Sequence, residues 1–144
     1  MPHVNHIYPY ERMADYPHMR PLDEQIWTRF IQKNPDRFSQ VQYDFGVGDP
    51  ADADPELPEN IIQAWHDLTR WKCDVVADDT ETTYTIEVKP NANAKALGQA
   101  LAYAVLYKID HPGDRPVVPV VLTDVIHNTT AQAAKEMGIL LWQA

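Results

Sequence analysis

Between residues 83 and 125 the chain runs through three successive patterns that few folds can accommodate. "TYTIEVK" alternates with period two, "AKALGQALAYAVLYKI" places Leu97, Leu101 and Val105 on one helical stripe, and "RPVVPVVLTD" is an apolar run suited to a buried strand. A strand, a helix and a second strand in succession predict a parallel βαβ unit with a right-handed crossover. That unit commits the chain to an α/β architecture, a sheet with helices on its faces. Pro119 inside the second strand predicts an edge position or a bulge, because proline brings no N–H to a ladder.

The other elements fit around this unit. "PLDEQIWTRFIQKN" spaces Leu22, Ile26 and Phe30 four apart beside Trp27 and Ile31, which predicts an amphipathic helix with Asp23 and Glu24 in its first turn and a stop at Asn34-Pro35. "FSQVQYDFGVG" alternates Val41, Tyr43, Phe45 and Val47 as a strand does. "ENIIQAWHDLT" reads as a short helix, and "WKCDVVAD" and "TYTIEVK" read as a hairpin joined by the polar "DDTET". "NTTAQAAKEMG" is a helix closed by Gly138, and "ILLW" a last strand. The expected order is α-β-α-β-β-α-β-α-β, a mixed β-sheet flanked by helices in one domain over residues 22–144. Residues 1–21, rich in His, Tyr, Pro and Met, carry no period and read as an arm that orders against a partner.

The 144 residues suit a single domain. Cys73 is the sole cysteine, so neither an internal disulfide nor a cysteine zinc site is available and a reducing compartment is expected. The opening "MPHVNHIYPYERM" lacks the basic and then apolar pattern of a signal peptide, and no apolar run reaches membrane-spanning length. The expected location is cytoplasmic, or virion-associated if the chain is phage-encoded. The net charge of -9 weighs against a broad grip on phosphate backbones. That charge is concentrated: Asp44, Asp49, Asp52, Asp54, Glu56, Glu59 and Asp67 fall in a window without Lys or Arg. Phosphate-loop and nucleophile-elbow motifs are missing, and His3 and His6 read as ordinary polar residues of the arm.

The chemistry gathers at the hairpin. Glu87 and Lys89 share one strand face, and alone such a pair is usually a solvated polar face. Asp74 lies on the strand expected to pair with theirs. Two carboxylates on adjacent strands, with a lysine two residues past the second, offer hard oxygen ligands to magnesium and a cation to orient an attacking water. Asp74, Glu87 and Lys89 in this order resemble the signature of the PD-(D/E)XK nuclease superfamily. Gln99 and Tyr103 on the following helix resemble the Gln-X-X-X-Tyr pattern of its RecB-type members.

That resemblance spans residues 22 to 142 in element order, with its motif residues confined to 74 to 103, and Cys73 stands where the family often has proline. It implies a restriction-endonuclease-like core. It also implies Asp74, Glu87, the Val88 carbonyl and a first-helix acid matching Glu24 as ligands of Mg2+ or Mn2+, with Lys89 at the nucleophilic water. Gln99 and Tyr103 then position substrate or the metal's waters, and Arg70, Lys72 and Lys95 form a locally positive substrate cleft. The expected activity is metal-dependent DNA cleavage in repair, mobile-element or phage DNA processing, with DNA versus RNA left open. The partners expected are DNA and a protein or second copy of the chain at the arm, with no membrane. Two alternatives stand beside it: a nuclease-fold adaptor of a viral particle or multi-subunit complex, and a nucleic acid mimic acting through residues 44 to 67.

Overall fold

The computed structural model describes residues 6–144. The elements follow as β1 (Tyr8–Pro9), α1 (Pro21–Lys33), β2 (Gln40–Val47), α2 (Glu59–Thr69), β3 (Trp71–Asp78), β4 (Thr83–Asn91), α3 (Ala94–Asp110), β5 (Val117–Val125), α4 (Asn128–Met137) and β6 (Leu140–Gln143). The six strands form one mixed sheet in the order β1-β2-β3-β4-β5-β6. β1 to β4 pair antiparallel, whereas β4, β5 and β6 run parallel. The parallel β4-α3-β5 unit and the β3-β4 hairpin follow from the residue patterns; β1 does not, because two residues are too few to show a period.

The sheet is covered on both faces. α1 buries Ile26, Trp27, Phe30 and Ile31 against Val41, Tyr43, Val75, Ile86, Val88, Val120 and Leu122. α3 and α4 cover the opposite face, where Ala96, Leu97, Ala100 and Ala134 meet Val121 and Ile139. The buried side of α3 is lined with small residues, so Val105, expected on its core stripe, is turned outward and 51% exposed. α3 starts where Asn93 Oδ1 accepts the Ala96 N–H at 3.1 Å, and α4 ends at Gly138 with φ of 71°. No helix among the described residues is long and apolar enough to cross a membrane.

Two expectations need correction. Residues 8 to 20 are not a detached arm: Tyr8 pairs with Val41, Tyr10 donates to the Asn34 carbonyl at 2.6 Å, and Tyr16 is buried in the α1-side core. Its aromatic residues gain more by covering α1 and β2 than by lying in water. β5 is an interior strand and not an edge, yet its pairing with β6 begins only at Val120. Pro119 therefore faces a stretch that β6 does not reach, and its missing N–H leaves no bond broken.

α2 stands apart from these layers. It carries no buried residue, and Ile61, Trp65 and Leu68 on it are 47%, 44% and 80% exposed.

A buried polar contact ties α1 to β2 within the α1-side core, the Trp27 indole N–H donating to the Tyr43 hydroxyl at 2.9 Å with both side chains buried. Tyr43→Phe removes the acceptor and leaves a buried donor unmatched, at a cost of about 1–3 kcal/mol. Urea unfolding is expected to show that loss as a lower midpoint at unchanged slope.

Candidate active site

The β3-β4 ladder runs from Asp78 opposite Thr83 to Val75 opposite Ile86 and stops there. Continued in register, it would next pair Asp74 with Glu87. Side chains replace main chain at this point: Asp74 Oδ2 accepts the Val88 N–H at 2.9 Å, and Glu87 Oε1 accepts the Asp74 N–H at 3.4 Å. The shorter bond is the one that fixes Asp74. Because the N–H and C=O of one strand residue point to the same side, the Val88 carbonyl also faces the opening between β3 and β4.

β2 changes course at the same level. Its ladder with β3 joins Tyr43 to Val75 and Phe45 to Cys73 but omits the Asp44–Asp74 pair, and Asp44 has φ of 48°. Tyr43 and Val75 face α1, whereas Phe45 and Cys73 face α3. Residues two apart in a regular strand share a face, so both strands turn over at these aspartates. The steady alternation expected from Val41 to Val47 hid this reversal.

Glu87 is 2% exposed and Asp74 is largely covered. Burial, and then the charge of Asp74, pushes the Glu87 carboxyl well above the usual carboxylate range. Burial also raises Asp74, against the Val88 N–H and Lys89, which oppose it. Lys89 supplies the nearby positive charge, its Nζ lying 3.7 Å from Glu87 Oε2. Asp23 on α1 is held up by burial while Lys89 and Arg20 pull it down, which places it within the field of the same lysine.

Glu24 is not brought to the site. Its Oε2 accepts the Tyr16 N–H at 2.8 Å, and it lines a separate groove with Arg12, Met13 and Thr28. Asp23, one residue earlier, is the α1 acid whose charge reaches both carboxyls. Asp44 is the other acid that the sequence reading missed, and its charge reaches Asp74. Helical phase does not separate Asp23 from Glu24, since both lie one turn before Trp27. Asp44 stands at a polar position of the regular Val41–Val47 alternation, which gives no sign of the positive φ there.

Tyr103 lies within the field of the carboxylates, and Gln99 lies beside Tyr103. Tyr103 packs with Phe45, Val47, Cys73 and Val76, and its hydroxyl is pushed upward by burial and then by the charges of Glu87, Cys73 and Asp74, while the Gln99 side chain opposes the shift. The three expected substrate cations separate. Lys95 lines a groove with Trp71, Gln99 and Tyr103 on the α3 side. Arg70 and Lys72 instead converge where Gly46 has no Cβ, with Arg70 Cδ 3.2 Å and Lys72 Nζ 3.5 Å from the position a Cβ would occupy. That is the other strand face. Cys73 is fully buried and its thiol raised, so it is no nucleophile.

Among the described residues no three His, Cys, Asp or Glu side chains form a ready-made cation cage. Asp74, Glu87 and the Val88 carbonyl nevertheless fit a hard cation that keeps most of its own waters. Two buried carboxyls that resist ionising side by side are the groups a divalent cation would relieve. No family model, curated protein or solved structure matches the chain.

With both carboxyls raised above their unfolded values, the folded protein holds more protons than the unfolded chain. Stability contributed this way is present at low pH and is lost as pH rises from the ordinary carboxylate range toward about 8. Thermal melts in chelator are expected to show a falling Tm across that window, and Glu87→Gln to flatten the fall. Magnesium at the alkaline end is expected to raise the wild-type Tm more than that of Glu87→Gln.

Proposed function

We propose that the chain is a divalent-metal-dependent nuclease of the PD-(D/E)XK type, with a restriction-endonuclease-like core, that hydrolyses phosphodiester bonds of DNA. The observation that carries this reading is the ladder break, where Asp74 and Glu87 exchange side-chain for main-chain bonds and Lys89 lies 3.7 Å from Glu87. When bound, Mg2+ or Mn2+ supplies positive charge to the two carboxylates and to the phosphate under attack.

The chain's own groups do the rest. The Val88 N–H holds Asp74 in place, so the carboxylate needs no reorganisation when substrate arrives. Glu87 draws the Lys89 ammonium toward the opening, where it orients the attacking water and faces the developing phosphate charge. Tyr103 walls the site on the α3 side and Gln99 steadies it. Asp23, in place of Glu24, is the α1 acid available to the site.

The adaptor reading loses its main support, because residues 8 to 20 are engaged with β2 and α1 of their own chain. A partner protein remains part of the proposal, supported by the exposed apolar side chains of α2. The acidic segment supports DNA processing within such a complex more than unaided capture of duplex.

Cleavage of supercoiled, linear and single-stranded DNA, with RNA alongside, tests the reading in magnesium or manganese. Wild type is expected to cut, and Glu87→Ala and Lys89→Ala to fall by about a hundredfold or more, the scale seen when one preorganised group is removed. Equal cutting by all three proteins would remove these residues from the chemistry. A folded wild type inert with both metals would overturn the nuclease reading.

A further inference from the structure

Trp71 is the first residue of β3, three positions before Asp74, and it stays 59% exposed, whereas Tyr103, which its ring meets, is buried. The two rings meet edge-on, with centroids 6.4 Å apart. Beside it runs a groove of about 490 Å³ lined by Trp71, Lys95, Gly98, Gln99, Ala102 and Tyr103. Lys95, Gln99 and Tyr103 recur every four residues along α3, so they present one face to this groove. Gly98 and Ala102 keep its floor low, and a Cβ at Gly98 would meet nothing within 4 Å.

We propose that this groove is a nucleobase slot, in which Trp71 stacks an unpaired base of the strand whose phosphate lies at Asp74 and Glu87. The inference rests on the nuclease reading for the phosphate's position and adds the substrate class, a single-stranded or locally unpaired nucleic acid. An exposed indole with a low-walled gap beside it is the chemistry that holds bases without regard to their identity. Lys95 at the rim meets a backbone phosphate. Gln99 Oε1 is buried in the groove wall without a hydrogen-bond partner, an unmet acceptor that a base edge carrying an N–H can satisfy once the amide turns. Tyr103 belongs to both the groove and the wall of the carboxylate site, so the stacked base and the phosphate under attack are neighbours on one strand.

Charge selects the same substrate. An adjoining groove that shares Trp71, Gly98 and Ala102 with the slot includes Asp49, from the window whose seven carboxylates have no Lys or Arg among them. A duplex, broad and doubly charged, would lie against those acids. A single strand follows a narrower track and gains by stacking what it lacks in phosphate contacts.

The test measures fluorescence anisotropy of a labelled single strand of about ten nucleotides and of the matching duplex, in chelator so that nothing is cut. Variants are Trp71→Ala, Trp71→Phe and Gly98→Leu; the last fills the groove from open space and replaces a poor helix former with a good one. Wild type is expected to prefer the single strand. Trp71→Ala and Gly98→Leu are expected to weaken that binding roughly ten- to a hundredfold, with Trp71→Phe close to wild type. Unchanged affinity in folded Gly98→Leu and Trp71→Ala, or a wild type that binds the single strand no better than duplex, overturns the slot. Cleavage assays on the same proteins keep the two readings apart. Metal-dependent cutting with no Trp71 dependence leaves the nuclease and removes the slot; Trp71-dependent binding without cutting leaves the slot and removes the nuclease.

Discussion

Asp74 accepts the Val88 N–H at the point where the β3-β4 ladder ends, and the arrangement of the site depends on that bond. A carboxylate oxygen stands in for a backbone carbonyl, so the two strands part without leaving the amide unmatched. The gap thus opened is where the Val88 carbonyl points and where Glu87 and Lys89 emerge. β2 turns over at Asp44 and β3 at Asp74 on the same level, which brings Phe45 and Cys73 to the α3 side, where they pack with Tyr103. Without these reversals the sheet would be a plain ladder with its acids in water.

The site costs the fold stability that other parts supply. Two covered carboxyls next to each other, with one lysine for both, are unfavourable on their own. Opposite them, the α1-side core is densely aromatic: Trp27 stacks on Phe30 at 5.6 Å and Phe30 on Trp142 at 5.3 Å. Arg37 spans the rings of Phe38, Tyr84 and Trp142 at 4.9, 4.9 and 5.3 Å and hydrogen-bonds the Tyr84 hydroxyl. At the closed end of the hairpin, Asp79 Oδ1 accepts two turn N–H groups, and Arg115 donates to the Asp79 and Thr82 carbonyls. The β3-β4 hairpin is braced at the end away from the site and open at the end that carries it.

What the sequence made legible followed from periodicity. The βαβ unit, the hairpin and the amphipathic α1 each occupy enough residues for their period to show, and Asp74, Glu87 and Lys89 are placed by strand alternation and a turn. Features set by tertiary contact were not legible. Tyr8 pairs with β2 through two residues, and the choice between Asp23 and Glu24 is made by a main-chain N–H from Tyr16, a contact no local pattern encodes. Val105 fails for a related reason: α3 meets the sheet through Ala96, Ala100 and Ala104 together with Leu97 and Tyr103, a face rotated away from the Leu97-Leu101-Val105 stripe. The reversal at Asp44 left apolar residues at every second position, and so it imitated the regular strand it interrupts.

Charge and shape divide the surface in a consistent way. The acidic window leads from β2 through α2, whose apolar side chains turn outward, and Trp65 ties its loop by donating to the Asp52 carbonyl. The cations near the site, Lys95 on the α3 face and Arg70 with Lys72 on the other, border the open end of the hairpin from both sides. The field of such a surface repels a polyanion over the acidic flank and is least repulsive beside these cations, at the open end of the β3-β4 hairpin. On the nuclease and slot proposals, field and groove are consistent with one entry, a narrow strand passing between Trp71 and Lys95 toward Asp74.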